Sequence, residues 1–440
     1  MIASVIFYAW GEPAFVFVML ASVFVNWILA RLIDHNSGGG IKSRVLCGLA
    51  IGFDVLIFFV FKYLNFALQN IGLLFHREWA TDIALPIGIS FFTFQIMSYI
   101  LDVYHKKAAA QRNPLDLLLY ISMFPQLIAG PIVRYETIAN ELLTRRTTAE
   151  DTLVGVKRFV FGLAKKVLIA NYVAMIADNI FASTDYELAA STAWLGAAAY
   201  AFQIYFDFSG YSDMAIGLGR IFGFHFDENF NYPYIADSVT DFWRRWHISL
   251  STWFRDYVYI PLGGNRVSKP KWIRNLLVVW LLTGIWHGAN WTFILWGLYY
   301  FLFLLLEKTI RFRFKKLRFI HHVYTLIVVL IGWVLFRSED IVHAGRYIGA
   351  MFGGGYALTD HVFIYYLKGG AVVFLAALVF SLPVGQTLKR IVAKRQTDHS
   401  SKTVLILTDI AQAVFLLALF ALSVVTVANA TYNPFIYFNF

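Results

Sequence analysis

The sequence predicts an all-α integral membrane protein with about ten transmembrane helices and one or two re-entrant elements. Three observations predict it. Of 440 residues, 59% are hydrophobic and 15% charged, against about 45–50% and 25% in soluble domains. Phe (42), Tyr (24) and Trp (13) exceed what a soluble core explains. Apolar runs at Ala14–Ala30, Val404–Ala428, and Val362–Leu367 continuing into Ala371–Leu382 approach the roughly 20 residues a spanning helix needs.

The net charge of +10 does not point to nucleic acid. The cations fall in short loops between apolar segments, as the positive-inside bias requires. The single cysteine, Cys47, excludes an internal disulfide and reads as a packing residue. No basic stretch precedes the first apolar run, so that span is read as retained.

The cations also set the expected topology. Arg31, Lys42 and Arg44 mark an inner loop, which places the N-terminus outside. Val45 to Phe75 crosses outward and carries Asp54 and Lys62, both of which need internal partners. Ile83–Tyr104 returns to Lys106, Lys107 and Arg112. Leu115–Val133 has basic flanks on both sides and contains Pro125 and Pro131. Proline breaks helices, so a re-entrant, protein-buried segment is expected there.

Phe159–Phe181 leads out to an acidic loop at Asp185 and Glu187, and Ala189–Phe222 returns with Asp207 and Asp213. His225–Arg274 is polar and too interrupted to span. Asn275–Leu306 fits a hairpin turning at Gly288-Ala289-Asn290. Lys308–Arg318 lies inside. Spans near His322–Phe336, Val362–Leu382 and Val404–Ala428 follow, with Lys389–Lys402 inside and the tail Asn433–Phe440 outside. No repeat or long linker divides the chain, so residues 1–440 are read as one domain.

An ionisable side chain at membrane depth costs a few kcal/mol and marks a functional site by default. Most of the eleven histidines fall in loops. His287 does not: it lies in Leu282-Thr283-Gly284-Ile285-Trp286-His287-Gly288, 287 − 274 = 13 residues past Arg274. At 1.5 Å per residue that is roughly 20 Å of helix in a core about 30 Å thick. A neutral imidazole suits a general base near pH 7. His247 lies in Asp241-Phe242-Trp243-Arg244-Arg245-Trp246-His247-Ile248-Ser249. This mixture suits either a semi-buried site, with Arg244 and Arg245 taking a phosphate-bearing donor, or an interfacial amphipathic helix.

Asp207 and Asp213 are six residues apart. They fit pairing with neighbouring helices better than metal binding, and a proton or ion path is the alternative. Gly217-x-Gly219 lacks the spacing of a dinucleotide loop. No hydrolase, metalloprotease or P-loop motif is present, and no metal site is expected.

Several blocks together carry a family resemblance. They are Ser90-Phe91-Phe92-Thr93-Phe94-Gln95, Phe124-Pro125-Gln126-Leu127-Ile128-Ala129-Gly130-Pro131-Ile132, Phe206-Asp207-Phe208-Ser209-Gly210-Tyr211-Ser212-Asp213-Met214, Trp243 to Arg266, Trp286-His287-Gly288, and the tail Asn433-Pro434-Phe435-Ile436-Tyr437-Phe438. The chain resembles the membrane-bound O-acyltransferases, and within them the bacterial alginate O-acetylation proteins.

The resemblance implies helices arranged in a ring around a central tunnel that thins the membrane. It implies a multi-pass protein of the bacterial inner membrane. It makes His287 catalytic and His247 the second polar catalytic position, with Trp243, Arg244, Arg245, Ser249, Trp286 and Asn290 as substrate-binding candidates. No cofactor is permanently bound. Acetyl-CoA or another thioester donates from the cytoplasm, and an extracytoplasmic acetyltransferase partner relays the group to polysaccharide. His287 serves as general base or as a transient acyl carrier. Two readings stay open: D-alanyl transfer to teichoic acid from a carrier protein, and non-enzymatic transport.

Overall fold

Long apolar helices and short polar-bearing ones divide the work of this chain between facing lipid and building a site. The computed structural model describes residues 1–36, 40–183, 188–310, 318–387, 402–430, 432 and 434. The expected loops around Asp185 and Lys389, much of Lys308–Arg318 and most of the tail Asn433–Phe440 lie outside the described residues.

The first half comprises α1 (Ile2–Gly11), α2 (Val16–His35), α3 (Ile41–Lys62), α4 (Leu64–Leu74), α5 (Ile89–Tyr104), α6 (Pro114–Ser122), α7 (Phe124–Leu127) and α8 (Tyr135–Thr144). α9 runs Ala149–Phe181, with a π-helical stretch at Lys165–Ala170. Then come α10 (Ala190–Ile221), α11 (Val239–Arg245), α12 (Ile248–Phe254), α13 (Lys269–His287), α14 (Trp291–Ile310), α15 (Arg318–Arg337), α16 (Ile341–Gly349), α17 (His361–Gly369), α18 (Ala371–Phe380) and α19 (Lys402–Asn429). Among the described residues every regular element is helical.

The chain is a multi-pass membrane protein, but the count of about ten crossings is not reached on length and composition. Among the described residues, six helices are long and apolar enough to cross, or seven if the bent pair α17–α18 is one span. α10 (32 residues) and α13 (19 residues) also have spanning length. They carry polar core residues instead of an unbroken apolar run.

Three expected spans are broken. Val45–Phe75 divides at Tyr63 into α3 and α4. Ile83–Tyr104 becomes helical only at Ile89, because Pro86 and Gly88 interrupt it. Gly88 has φ +78, and a Cβ there would lie 2.7 Å from the Leu127 carbonyl. Val362–Leu382 bends by 65° at Gly369–Gly370. The expected break in Leu115–Val133 is present: α6 stops at Ser122, Pro125 sits in the first turn of α7, and most of the segment is buried.

Two large apolar cores result. One joins α2, α3, α5, α6 and α8; the other joins α9 to α11 with α13 to α16. A smaller cluster lies between them, where Phe91 and Phe94 of α5, Ala129, Ile132, Leu250 and Trp253 of α12, and Trp286 of α13 meet. α9 and α10 cross at small residues. A Cβ on Gly217 would lie 2.6 Å from the Gly155 carbonyl, and one on Gly210 would lie 2.8 Å from the Gly162 carbonyl. Gly210 and Gly217 therefore belong to a helix-packing surface of the small-residue type, while Gly219 makes room for the Phe226 ring.

The charges at the α9–α10 crossing are paired in the way their burial demands. Asp207 lies 2.8 Å from Lys166, and Asp213 bridges Arg158 (2.8 Å) and Lys165 (2.7 Å). Asn26 donates to Asp54 at 2.7 Å. The two aspartates of α10 thus satisfy α9.

Candidate active site

α13 and α14 form the expected hairpin, and His287 is the last residue of α13. The helices touch backbone to backbone: a Cβ on Gly284 would lie 2.4 Å from the Phe293 carbonyl, and one on Gly297 would lie 2.4 Å from that of Trp280. This contact fixes the end of α13 within the junction between the two cores. The His287 ring sits among Trp286, Trp296 and Phe336, each with its centroid 5.0 Å away. It is 8% exposed. Among the described residues no side chain hydrogen-bonds to it.

It is not sealed. His287 and Trp286 line a cavity of about 310 Å³ with Glu12, Lys62, Ser90 and the 85–89 loop. Glu12 accepts the Ile87 N–H at 3.0 Å, and Tyr8 donates to the Ile87 carbonyl at 3.0 Å. The link between α1 and α2 thereby holds the loop that roofs the cavity.

His247 enters from the other side of Trp286, whose ring is 5.9 Å from His247 and 5.0 Å from His287. It lies between α11 and α12 with φ +45, a left-handed conformation that costs energy outside glycine and clusters at functional sites. The ring is 1% exposed and packs against Phe208 of α10 at 4.7 Å.

Its tautomer follows from its partners. Nδ1 lies 3.2 Å from Asn229 Oδ1. That oxygen also accepts the Ser249 N–H (3.2 Å) and hydroxyl (2.9 Å), while Asn229 Nδ2 donates to Ser212. An amide oxygen only accepts, so the proton sits on Nδ1 and Nε2 keeps its lone pair. Nε2 is buried and has no hydrogen-bond partner among the described residues.

Ser249 completes this unit by accepting the Ile132 N–H at 3.0 Å. Its hydroxyl is therefore committed to holding the Pro131–Ile132 turn against α12. Trp243 packs edge-on against Trp280, Trp296 and Tyr300 at 4.8–5.4 Å. It connects α11 to the wall behind His287.

Arg245 is taken up by Asp241 (2.8 Å) and the Asn231 carbonyl. Arg244 is exposed, makes no hydrogen bond among the described residues, and its charge is felt at Lys308. Asn290 caps α14: Oδ1 accepts the Thr292 N–H and Nδ2 donates to the Glu339 carbonyl. The structure thus gathers His287, His247, Trp286, Trp243 and Ser249 around one junction. It leaves Arg244 at the surface and gives Asn290 and Arg245 structural bonds.

Two groups beside the histidines were not singled out from sequence as part of the site. Lys62 donates to Ser90 and to the carbonyls of Trp286 and His287. Its position in an apolar run was a visible signal, but its partners were not. Asn229 lies in a polar loop that offers no signal.

The model of the membrane-bound O-acyltransferase family matches residues 45–337. The chain is 39% identical to a protein of Azotobacter vinelandii named probable alginate O-acetylase, over all of this chain and 93% of that one. It is 36% identical to the peptidoglycan O-acetyltransferase of Helicobacter pylori, covering 80% and 73% of the two chains. It is 33% identical to the teichoic acid D-alanyltransferase of Bacillus subtilis, over 49% and 56%.

Proposed function

Because the chain belongs to the membrane-bound O-acyltransferase family, we propose that this O-acyltransferase carries an acetyl group from cytoplasmic acetyl-CoA to a hydroxyl on the extracytoplasmic side, in exopolysaccharide O-acetylation. The supporting observation is the cavity that the otherwise buried His287 lines beside Trp286, Lys62 and Glu12.

The cavity lies beneath the 85–89 loop and against the α1–α2 link. Arg31, Lys42 and Arg44 lie at the opposite ends of α2 and α3. With those cations inside, the N-terminus and the cavity face outward, in the inner membrane of a bacterium. The acceptor hydroxyl enters there. The thioester approaches from the cytoplasmic side, where Arg244 and Lys308 supply positive charge for its phosphates.

His287 removes the hydroxyl proton as the oxygen attacks the thioester carbonyl. The new C–O ester bond forms, the C–S bond breaks, and the imidazolium returns the proton to the departing thiolate. General-base assistance contributes about 10²–10⁴-fold, and holding both substrates at one point supplies the rest. His247, with its lone pair on Nε2, accepts a hydrogen bond from the donor and orients it. The final polysaccharide is reached through an extracytoplasmic acetyltransferase partner docked on the outer face. Identity across the whole chain favours acetylation, since the resemblance to the D-alanyltransferase covers only half of it.

The test is transfer by purified protein in detergent with labelled acetyl-CoA and the partner. Alkali-labile label on the partner or polysaccharide supports the reading. Label that never leaves the thioester, with D-alanyl carrier protein serving as donor instead, overturns it. Arg244→Gln is expected to raise the KM for acetyl-CoA about tenfold, the worth of a charge-assisted hydrogen bond, with kcat little changed. Initial rates over a donor titration check this.

A further inference from the structure

We propose that Lys62 is a positioning residue that clamps the C-terminus of α13 and thereby aims the His287 ring; this rests on the catalytic reading of His287. The ammonium is buried, 8% exposed, at the end of α3. Its three N–H groups match three acceptors: Ser90 Oγ of α5 at 3.1 Å, the Trp286 carbonyl at 2.7 Å and the His287 carbonyl at 3.1 Å. An ammonium has three donors, so none remains for substrate. The last carbonyls of a helix lack intrahelical partners and carry its negative dipole end. One cation on two of them fixes the final turn, and Ser90 ties that turn to the roof of the cavity.

No carboxylate lies within ion-pair distance of Lys62 among the described residues. Burying a cation on neutral acceptors is costly, and packing alone does not call for it, since an apolar chain of similar length would fill the space. The site it serves is the one that holds His287. The ammonium also lies within 6 Å of the Trp286 ring, the ring shared by both histidines, so its loss loosens both.

Lys62→Met tests this because it keeps most of the length of the apolar stem and removes the charged head with its donors. The expected result is a kcat lower by about 10²-fold, the scale of a misplacement of 1 Å, with an unchanged KM for acetyl-CoA. The melting midpoint in detergent falls only slightly, because the Trp286 and His287 carbonyls lose a donor, and the folded fraction at the assay temperature stays that of the parent. Wild-type kcat overturns the proposal. So does a loss of activity that merely follows the folded fraction. If the methionine variant does not fold, Lys62→Ala assayed with added propylammonium decides: recovery of turnover supports the clamp, and none overturns it. His287→Ala run alongside separates the two ideas, because transfer retained there removes the catalytic reading itself.

Discussion

Replacing His287 with Ala is expected to slow acetyl transfer by about 10²–10⁴-fold and to leave the protein folded. The side chain makes no hydrogen bond to the rest of the molecule among the described residues. Its contacts are aromatic, with Trp286, Trp296 and Phe336 at 5.0 Å, and it borders an existing cavity. Its removal enlarges that space without stranding a buried partner. His287→Gln sharpens the comparison, since glutamine keeps much of the volume but cannot take a proton. Single-turnover rates with labelled acetyl-CoA, set beside melting curves in detergent, separate chemistry from folding. A His287→Gln protein with near-normal turnover would contradict the assignment.

The second large effect concerns stability. Asp207→Leu leaves the Lys166 ammonium without its carboxylate at the α9–α10 crossing, where the two side chains are 2% and 11% exposed. Breaking a buried pair by removing one partner costs about 3–5 kcal/mol, whereas replacing both by apolar residues is often neutral. The double variant Lys166→Met with Asp207→Leu is therefore expected to recover most of the loss. Unfolding in a denaturing detergent series checks both proteins. Lys166 also donates to the Pro434 carbonyl, so both variants are to be measured with the C-terminal tail intact.

What the sequence made legible followed from local contrast. A histidine, three aspartates and a lysine stand out in apolar runs, so His287, Asp54, Asp207, Asp213 and Lys62 could be found one by one. The α13–α14 hairpin was also readable, because the Gly288-Ala289-Asn290 turn interrupts a run too long for one helix. Partners far along the chain were not readable. Lys62 meets carbonyls 224 and 225 residues away, and no local pattern encodes that meeting.

Two residues were read for function when local rules pointed elsewhere. Asn290 stands just before a helix, where a side-chain cap is the common use of asparagine, and it caps α14. Arg245 follows Asp241 by four residues, the spacing of a helical ion pair, and the pair forms. The breaks at Tyr63 and Gly88 were hidden for another reason. Hydropathy averages across a bend and reports only that a segment is apolar.

The central claim is that a thioester from one side of the membrane and a hydroxyl from the other meet at His287. Oriented proteoliposomes test it most directly, with labelled acetyl-CoA confined to the side of Arg244 and Lys308 and the acceptor confined to the side of Glu12 and the 85–89 loop. The expected result is label in ester linkage on the acceptor, no intact acetyl-CoA across the bilayer, and neither signal from the His287→Gln protein. Transfer only when donor and acceptor share one compartment, or passage of intact acetyl-CoA, would contradict it.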